Sequence, residues 1–94
     1  MENIEAKLDI IEKWFSVPSK KLINVYNIVK EKGIMSSEDY RQITDIGIPI
    51  INKLSNATGL SIEKVRSTII QKGISFNYFH EAIISYSEFC TKEK

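Results

Sequence analysis

The sequence predicts an all-α fold, a compact bundle or orthogonal array of five to six short helices joined by glycine-capped tight turns, on three observations: apolar residues recur at helical spacing, four glycines punctuate those stretches, and no segment alternates with a period of two. Ile4, Leu8, Ile11 and Phe15 form one apolar stripe, closed by Val17-Pro18; Leu22, Val25, Tyr26 and Val29 form a second, running to Gly33. Three shorter helices are expected over about 37–46, 49–57 and 62–72. Their core candidates are Tyr40 and Ile43, then Ile50, Leu54 and Ala57, then Val65 and Ile69. The last helix is longer: Phe76, Phe79, Ile83 and Tyr86 mark one row on it and Ala82 and Phe89 its neighbour, with fraying expected before Lys92-Glu93-Lys94.

Gly33, Gly47, Gly59 and Gly73 each end a helical stretch, and each precedes an apolar residue (Ile34, Ile48, Leu60, Ile74) placed to pack back on the last turn as in a Schellman motif. A start signal follows each stop: Ser36 with Glu38 and Asp39, Pro49 at a first-turn position, Ser61 with Glu63, and Ser75. Serine accepts from free first-turn N–H groups, acids there complement the helix dipole, and proline has no N–H to lose at the first position. No two-residue hairpin signal occurs, so strands are not expected.

A chain of 94 residues suits one domain, 1–94, with two N-terminal helices in 1–32 and a helical module over 33–90. Hydrophobic residues at 43% and charged residues at 27% belong to a chain that folds. Thirteen basic and twelve acidic residues, mixed along the chain, leave a net charge of +1, which argues against nucleic acid or an anionic membrane as partner. The one cysteine, Cys90, has no internal disulfide partner and fits a reducing compartment. Met1-Glu2-Asn3-Ile4-Glu5 is acidic where a signal peptide is basic, and no apolar run is long enough to span a bilayer. Synthesis in the cytoplasm is expected.

Enzymatic chemistry needs convergent groups. The one histidine, His80, and Cys90 are ten residues apart on the same predicted helix. At about 1.5 Å of rise per residue, that spacing separates them by roughly 15 Å and excludes a nucleophilic dyad within the chain. His80 alone is no metal site, since such sites need three or four ligands. Every glycine is taken by a helix stop, so no phosphate loop remains. The acid pair Glu38-Asp39 is explained by the helix dipole. The expectation is no catalytic residue, no metal and no cofactor.

Two patterns bear on function. Residues 51–66 fit a helix-turn-helix template, with small Ser55 where the helices cross, Gly59 in the turn and Val65 packing back. As a DNA binder, the alternative reading, the chain would use Ser61, Lys64, Arg66, Ser67 and Thr68. Glu63 opposes phosphate and the charge of +1 supplies few phosphate contacts, so the motif is more simply a corner of a small α domain.

The second pattern spans about residues 30–85: Gly33-Ile34-Met35-Ser36-Ser37-Glu38-Asp39-Tyr40-Arg41-Gln42-Ile43, Asp45-Ile46-Gly47-Ile48-Pro49-Ile50-Ile51, Leu54 through Thr58-Gly59-Leu60-Ser61-Ile62-Glu63-Lys64-Val65, and Lys72-Gly73-Ile74-Ser75-Phe76. In order and spacing this run resembles the tape measure domain of tailed-phage tail tape measure proteins. Arg41-Gln42-Ile43 followed by Gly47-Ile48-Pro49 is its most distinctive piece. Tyr40 stands where an aliphatic residue is usual, and Ser85-Tyr86-Ser87-Glu88-Phe89-Cys90 replaces a glycine-rich segment. The resemblance implies a structural role in tail assembly through protein contacts, with tail chaperone, tube or baseplate proteins as partners and the virion tail as a destination. It carries no catalytic residue into this region.

Tape measure proteins are far longer than this chain, so the sequence is either an excised domain or a small protein that borrowed the module. A bundle of this size spans a few tens of ångströms and cannot by itself measure a tail. A stand-alone copy would act by mimicry, or as a phage- or mobile-element-encoded inhibitor of a host or rival protein. For any such contact the candidate anchors are the adjacent aromatics Trp14 and Phe15, and Tyr78 and Phe79. One helix face cannot bury both members of a pair, and exposed aromatics favour interface centres. Lys20-Lys21 and Lys30-Glu31-Lys32 read as solvated faces.

Overall fold

Helix α1, Ile4–Trp14, buries Leu8 and Ile11 along its apolar stripe and ends where the chain reverses at Ser16. The computed structural model describes residues 4–18 and 20–92. Met1-Glu2-Asn3 and the fraying expected at Glu93-Lys94 lie outside them. The remaining helices are α2 (Lys21–Lys32), α3 (Ser37–Asp45), α4 (Ile51–Thr58), α5 (Ile62–Gln71) and α6 (Phe76–Lys92). The all-α class and the short glycine turns are therefore present. Helix α6 is the central rod: α1 and α4 pack along it, α5 packs on α4, and α2 bridges α1 to α3. Fully enclosed Phe79 and Ile83 on α6 meet Leu8, Ile11, Leu22, Val29, Ile43, Leu54 and Val65 in one core.

Ser16 ends α1 in the role the sequence reserves for glycine. Its φ is +55°, the Val17 N–H reaches back to the Glu12 carbonyl at 2.8 Å, and the Ser16 N–H reaches Lys13 at 3.3 Å, the paired bonds of a Schellman motif. An L residue is strained in this region and glycine is not. Ser16→Gly is therefore expected to stabilise the fold by about 0.5–1 kcal/mol, the relief of strain exceeding the entropy glycine adds to the unfolded chain. A urea midpoint that fails to rise would refute it.

Strands are present after all. Ile34–Met35 (β1) and Ile74–Ser75 (β2) pair antiparallel, Ile34 with Ser75 and Met35 with Ile74. Two residues are too few to show an alternating pattern, and the pairing joins segments that are distant in the chain. Lys-Gly-Ile precedes or opens each strand, and both glycines have φ of +83°. The unit helix, glycine, strand, helix thus occurs twice, as α2-β1-α3 and α5-β2-α6. A half-turn about the strand pair exchanges Ile34 with Ile74 and Met35 with Ser75, which preserves the register.

Two further expectations need correction. Ile48 and Ile74 are enclosed after their glycines, whereas Ile34 and Leu60 stay 38% exposed. At Gly33 and Gly59 a single glycine N–H bond, to Val29 and to Ser55, closes the helix, without the second bond that folds the next residue inward. Pro49 is not in the first turn of α4, which begins at Ile51. Ile48 and Ile50 both enter the core from the irregular link before α4, and Ile50, already helical in φ and ψ, is the N-cap whose carbonyl accepts from Leu54 N–H.

The start of α3 is a full capping box. The Ser36 hydroxyl accepts from Asp39 N–H, while Asp39 Oδ2 accepts from the Ser36 N–H at 3.0 Å and hydroxyl at 2.9 Å and pairs with Lys32 at 2.6 Å. Burial pushes the Asp39 carboxyl up, but Lys32 and Ser36 together outweigh it and hold the carboxyl below its ordinary 3.8. The folded state then binds fewer protons than the unfolded one, so this stabilisation is complete above about 3.8 and is lost as pH falls through the folded value. Asp39→Asn is expected to cost about 1–2 kcal/mol at neutral pH and progressively less below pH 4. Thermal melts of both proteins across that range check it, and a gap that stays constant with pH would count against it.

Candidate protein-interaction surface

The end of α1 and the outer side of α6 meet in an aromatic array. Trp14 is the last residue of α1; Phe15, whose N–H still bonds the Ile11 carbonyl, packs against Tyr86 while Trp14 lies over Phe89. The contacts are edge-to-face: Trp14 to Phe89 at 5.7 Å, Phe15 to Tyr86 at 5.5 Å and Tyr86 to Phe89 at 6.4 Å between centroids. From α4, Lys53 sets its ammonium 5.4 Å from the Tyr86 centroid and 5.2 Å from that of Phe89. The Tyr86 hydroxyl donates to the Pro49 carbonyl and ties the segment before α4 to α6. Three helices thus hold this array in one shape. Trp14 and Phe89 each remain 39% exposed on it.

The four candidate anchors divide as follows. Trp14 and Tyr78, the latter 43% exposed, reach solvent; Phe15 is half-buried. Phe79 is fully enclosed beneath Tyr26 and belongs to the core, so it is not an anchor. Tyr78 lies elsewhere, with Ile34 and Leu60 on the rim of a shallow cleft of about 590 Å³ floored by Gly73 and Ile74. Phe89 and Lys53, which complete the Trp14 surface, were not singled out from the sequence. Phe89 reads as a neighbour of the core row of α6, and Lys53 carries no local signal, because its partners lie some thirty residues away along the chain.

His80 and Cys90 are both packed into the fold. His80 Nδ1 is 2.9 Å from the Tyr26 hydroxyl, beside the Phe76 ring. Cys90 is fully enclosed; burial pushes its thiol up and Lys53 draws it only part of the way back. Burial, reinforced by Cys90, likewise raises the Tyr86 hydroxyl. Among the described residues no three His, Cys, Asp or Glu side chains are grouped to hold a metal ion. None of the described helices is long and apolar enough to cross a membrane.

The helix-turn-helix corner exists as α4, the turn at Gly59 and α5, with Val65 enclosed between them and the Ser55 hydroxyl donating to the Leu60 carbonyl. Its outer face suits DNA poorly. Two of its five candidate contact residues are engaged by their own helix: the Ser61 hydroxyl caps Lys64 N–H, and that of Thr68 donates to the Lys64 carbonyl at 2.8 Å. Lys64, Arg66 and Ser67 are exposed, but they share the face with Glu63, Ile62 and a 76% exposed Ile70. Compared with known proteins, the chain matches no family model, no curated protein and no solved structure.

Proposed function

We propose that this chain is a non-enzymatic protein-binding module of phage or prophage tail assembly, made in the host cytoplasm and carried into the tail. The Trp14 and Phe89 surface carries the binding part of this reading. It is an exposed aromatic pair, stiffened by ring contacts and by the Lys53 ammonium, of the kind that supplies most of the energy at interface centres. The tail setting rests on the residues that resemble the tape measure domain, from Gly33 to Phe76.

The test is capture. Tail chaperone, tube and baseplate proteins from the phage or prophage that encodes the chain are presented to it individually. One of them is expected to bind, and Trp14→Ala or Phe89→Ala to weaken that binding about tenfold or more. A folded chain that ignores all of them would sink the tail reading. Titration against duplex DNA at low and moderate salt serves as the control, and no salt-sensitive binding is expected.

A further inference from the structure

The groove between α3 and α5 lies away from the Trp14 surface and gathers every arginine of the chain. Arg41 on α3 and Arg66 on α5 are the two arginines in the sequence, and both line this groove of about 290 Å³ with Tyr40, Thr44, Ile69 and Ile70. Neither guanidinium forms an ion pair with a carboxylate of the described residues. Among the described residues the ion pairs are Lys13 with Asp9 and Lys32 with Asp39, so Asp45 and Glu63, each within a turn of one of the arginines, do not pair with them. Between the two charges the wall is apolar. Ile70, at 76%, is the most exposed large hydrophobic side chain among the described residues, and half-buried Tyr40 stands across from α5. A solvated helix face has no physical need of an isoleucine so exposed beside unpaired guanidiniums.

We propose that this groove binds an acidic segment of a protein partner, with carboxylates placed on Arg41 and Arg66 and an aliphatic side chain between them against Ile70 and Tyr40. Charge complementarity selects the occupant. A guanidinium fork matches a carboxylate in two parallel hydrogen bonds, and arginine and tyrosine are enriched at interface centres. A duplex backbone would supply anions but no aliphatic side chain against Ile70. The proposal rests on the protein-binding reading above and gives it a second, chemically specified contact.

A library of short random peptides displayed on phage and selected against the whole chain tests it. Recovered sequences are expected to be enriched in Asp or Glu next to Leu, Ile, Val or Met. The best binder, made as a synthetic peptide, should lose about tenfold in affinity against Arg41→Gln, against Arg66→Gln and against Ile70→Ser. All three positions are exposed, and unchanged thermal melts will show that the variants fold. The proposal is overturned if no acid-enriched, arginine-dependent binder emerges, or if mixed-sequence duplex DNA displaces the peptide, which would assign the groove to nucleic acid. Its failure is separable from failure of the tail reading: a tail protein lost by Trp14→Ala but indifferent to both arginine changes leaves that reading standing and removes this one.

Discussion

Gly73→Ala is expected to destabilise the protein by roughly 3–4 kcal/mol, while Gly33→Ala, at the same φ of +83°, costs about 1–2 kcal/mol. The comparison isolates space from conformation. Both positions lie outside the region that L residues favour, so each alanine carries the same backbone penalty. A Cβ on Gly33 would meet nothing within 4 Å, whereas one on Gly73 would lie 2.8 Å from the Met35 carbonyl oxygen and 2.9 Å from Ile34 Cγ1. The Ile34 side chain can swing aside because it is partly exposed. The Met35 carbonyl cannot, being backbone of β1 beside a fully enclosed side chain and directly opposite Ile74. Relief of the clash therefore opens the strand pair and loosens the core beneath it. With about 4–8 °C of melting temperature per kcal/mol in a domain of this size, a gap of about 2 kcal/mol separates the two variants by about 10 °C. Equal losses in parallel melts would show that the close approach carries no energy.

The second large effect is at Glu12. Helix α2 begins without a cap of its own: Lys20 stands at the N-cap in a left-handed conformation and its side chain bonds no first-turn N–H. The carboxylate of Glu12, 5% exposed on α1, does the capping from a neighbouring helix, accepting from Lys20 N–H at 3.2 Å, Leu22 N–H at 2.9 Å and Ile23 N–H at 3.4 Å. An anion at the positive end of a helix dipole also gains electrostatically. Glu12→Ala strands these N–H groups, the Leu22 bond being buried, and leaves a small cavity; it is expected to cost about 3 kcal/mol. Glu12→Gln keeps one acceptor oxygen but no charge, for about 1–2 kcal/mol. Hydrogen exchange gives the local readout: in both variants the Leu22 and Ile23 amides should exchange faster, before any change in α5. Unaltered protection there would mean that the carboxylate is dispensable.

Much of this protein is legible in the residues because its helices advertise themselves locally. The stripes Ile4-Leu8-Ile11 and Leu22-Val25-Tyr26-Val29, the caps Ser36 and Ser61 and the glycines at 33, 47, 59 and 73 act over one or two turns, and helices form within a residue or two of where those signals place them. Met35 escaped the core candidates because it sits outside any helical row, in a two-residue strand, although it is fully enclosed. The candidate surfaces were less legible than the helices. Trp14 could be suspected of reaching solvent from its neighbour Phe15, and Tyr78 from Phe79, because adjacent residues on a helix cannot face one way.

By itself, then, the sequence determined the helix class, the number of turns and which apolar faces turn inward, since periodicity, caps and glycine reversals depend only on neighbours along the chain. Only the tertiary structure decided that Glu12 caps α2, that Gly33-Ile34 and Gly73-Ile74 meet as paired strands, that Lys53 lies over Tyr86 and Phe89, and that Arg41 and Arg66 share one groove. Each of these joins residues from different helices or turns. The energies that select them are charge-assisted hydrogen bonds to a carboxylate, backbone pairing, cation–π attraction and side-chain packing, and these arise only once the helices have docked.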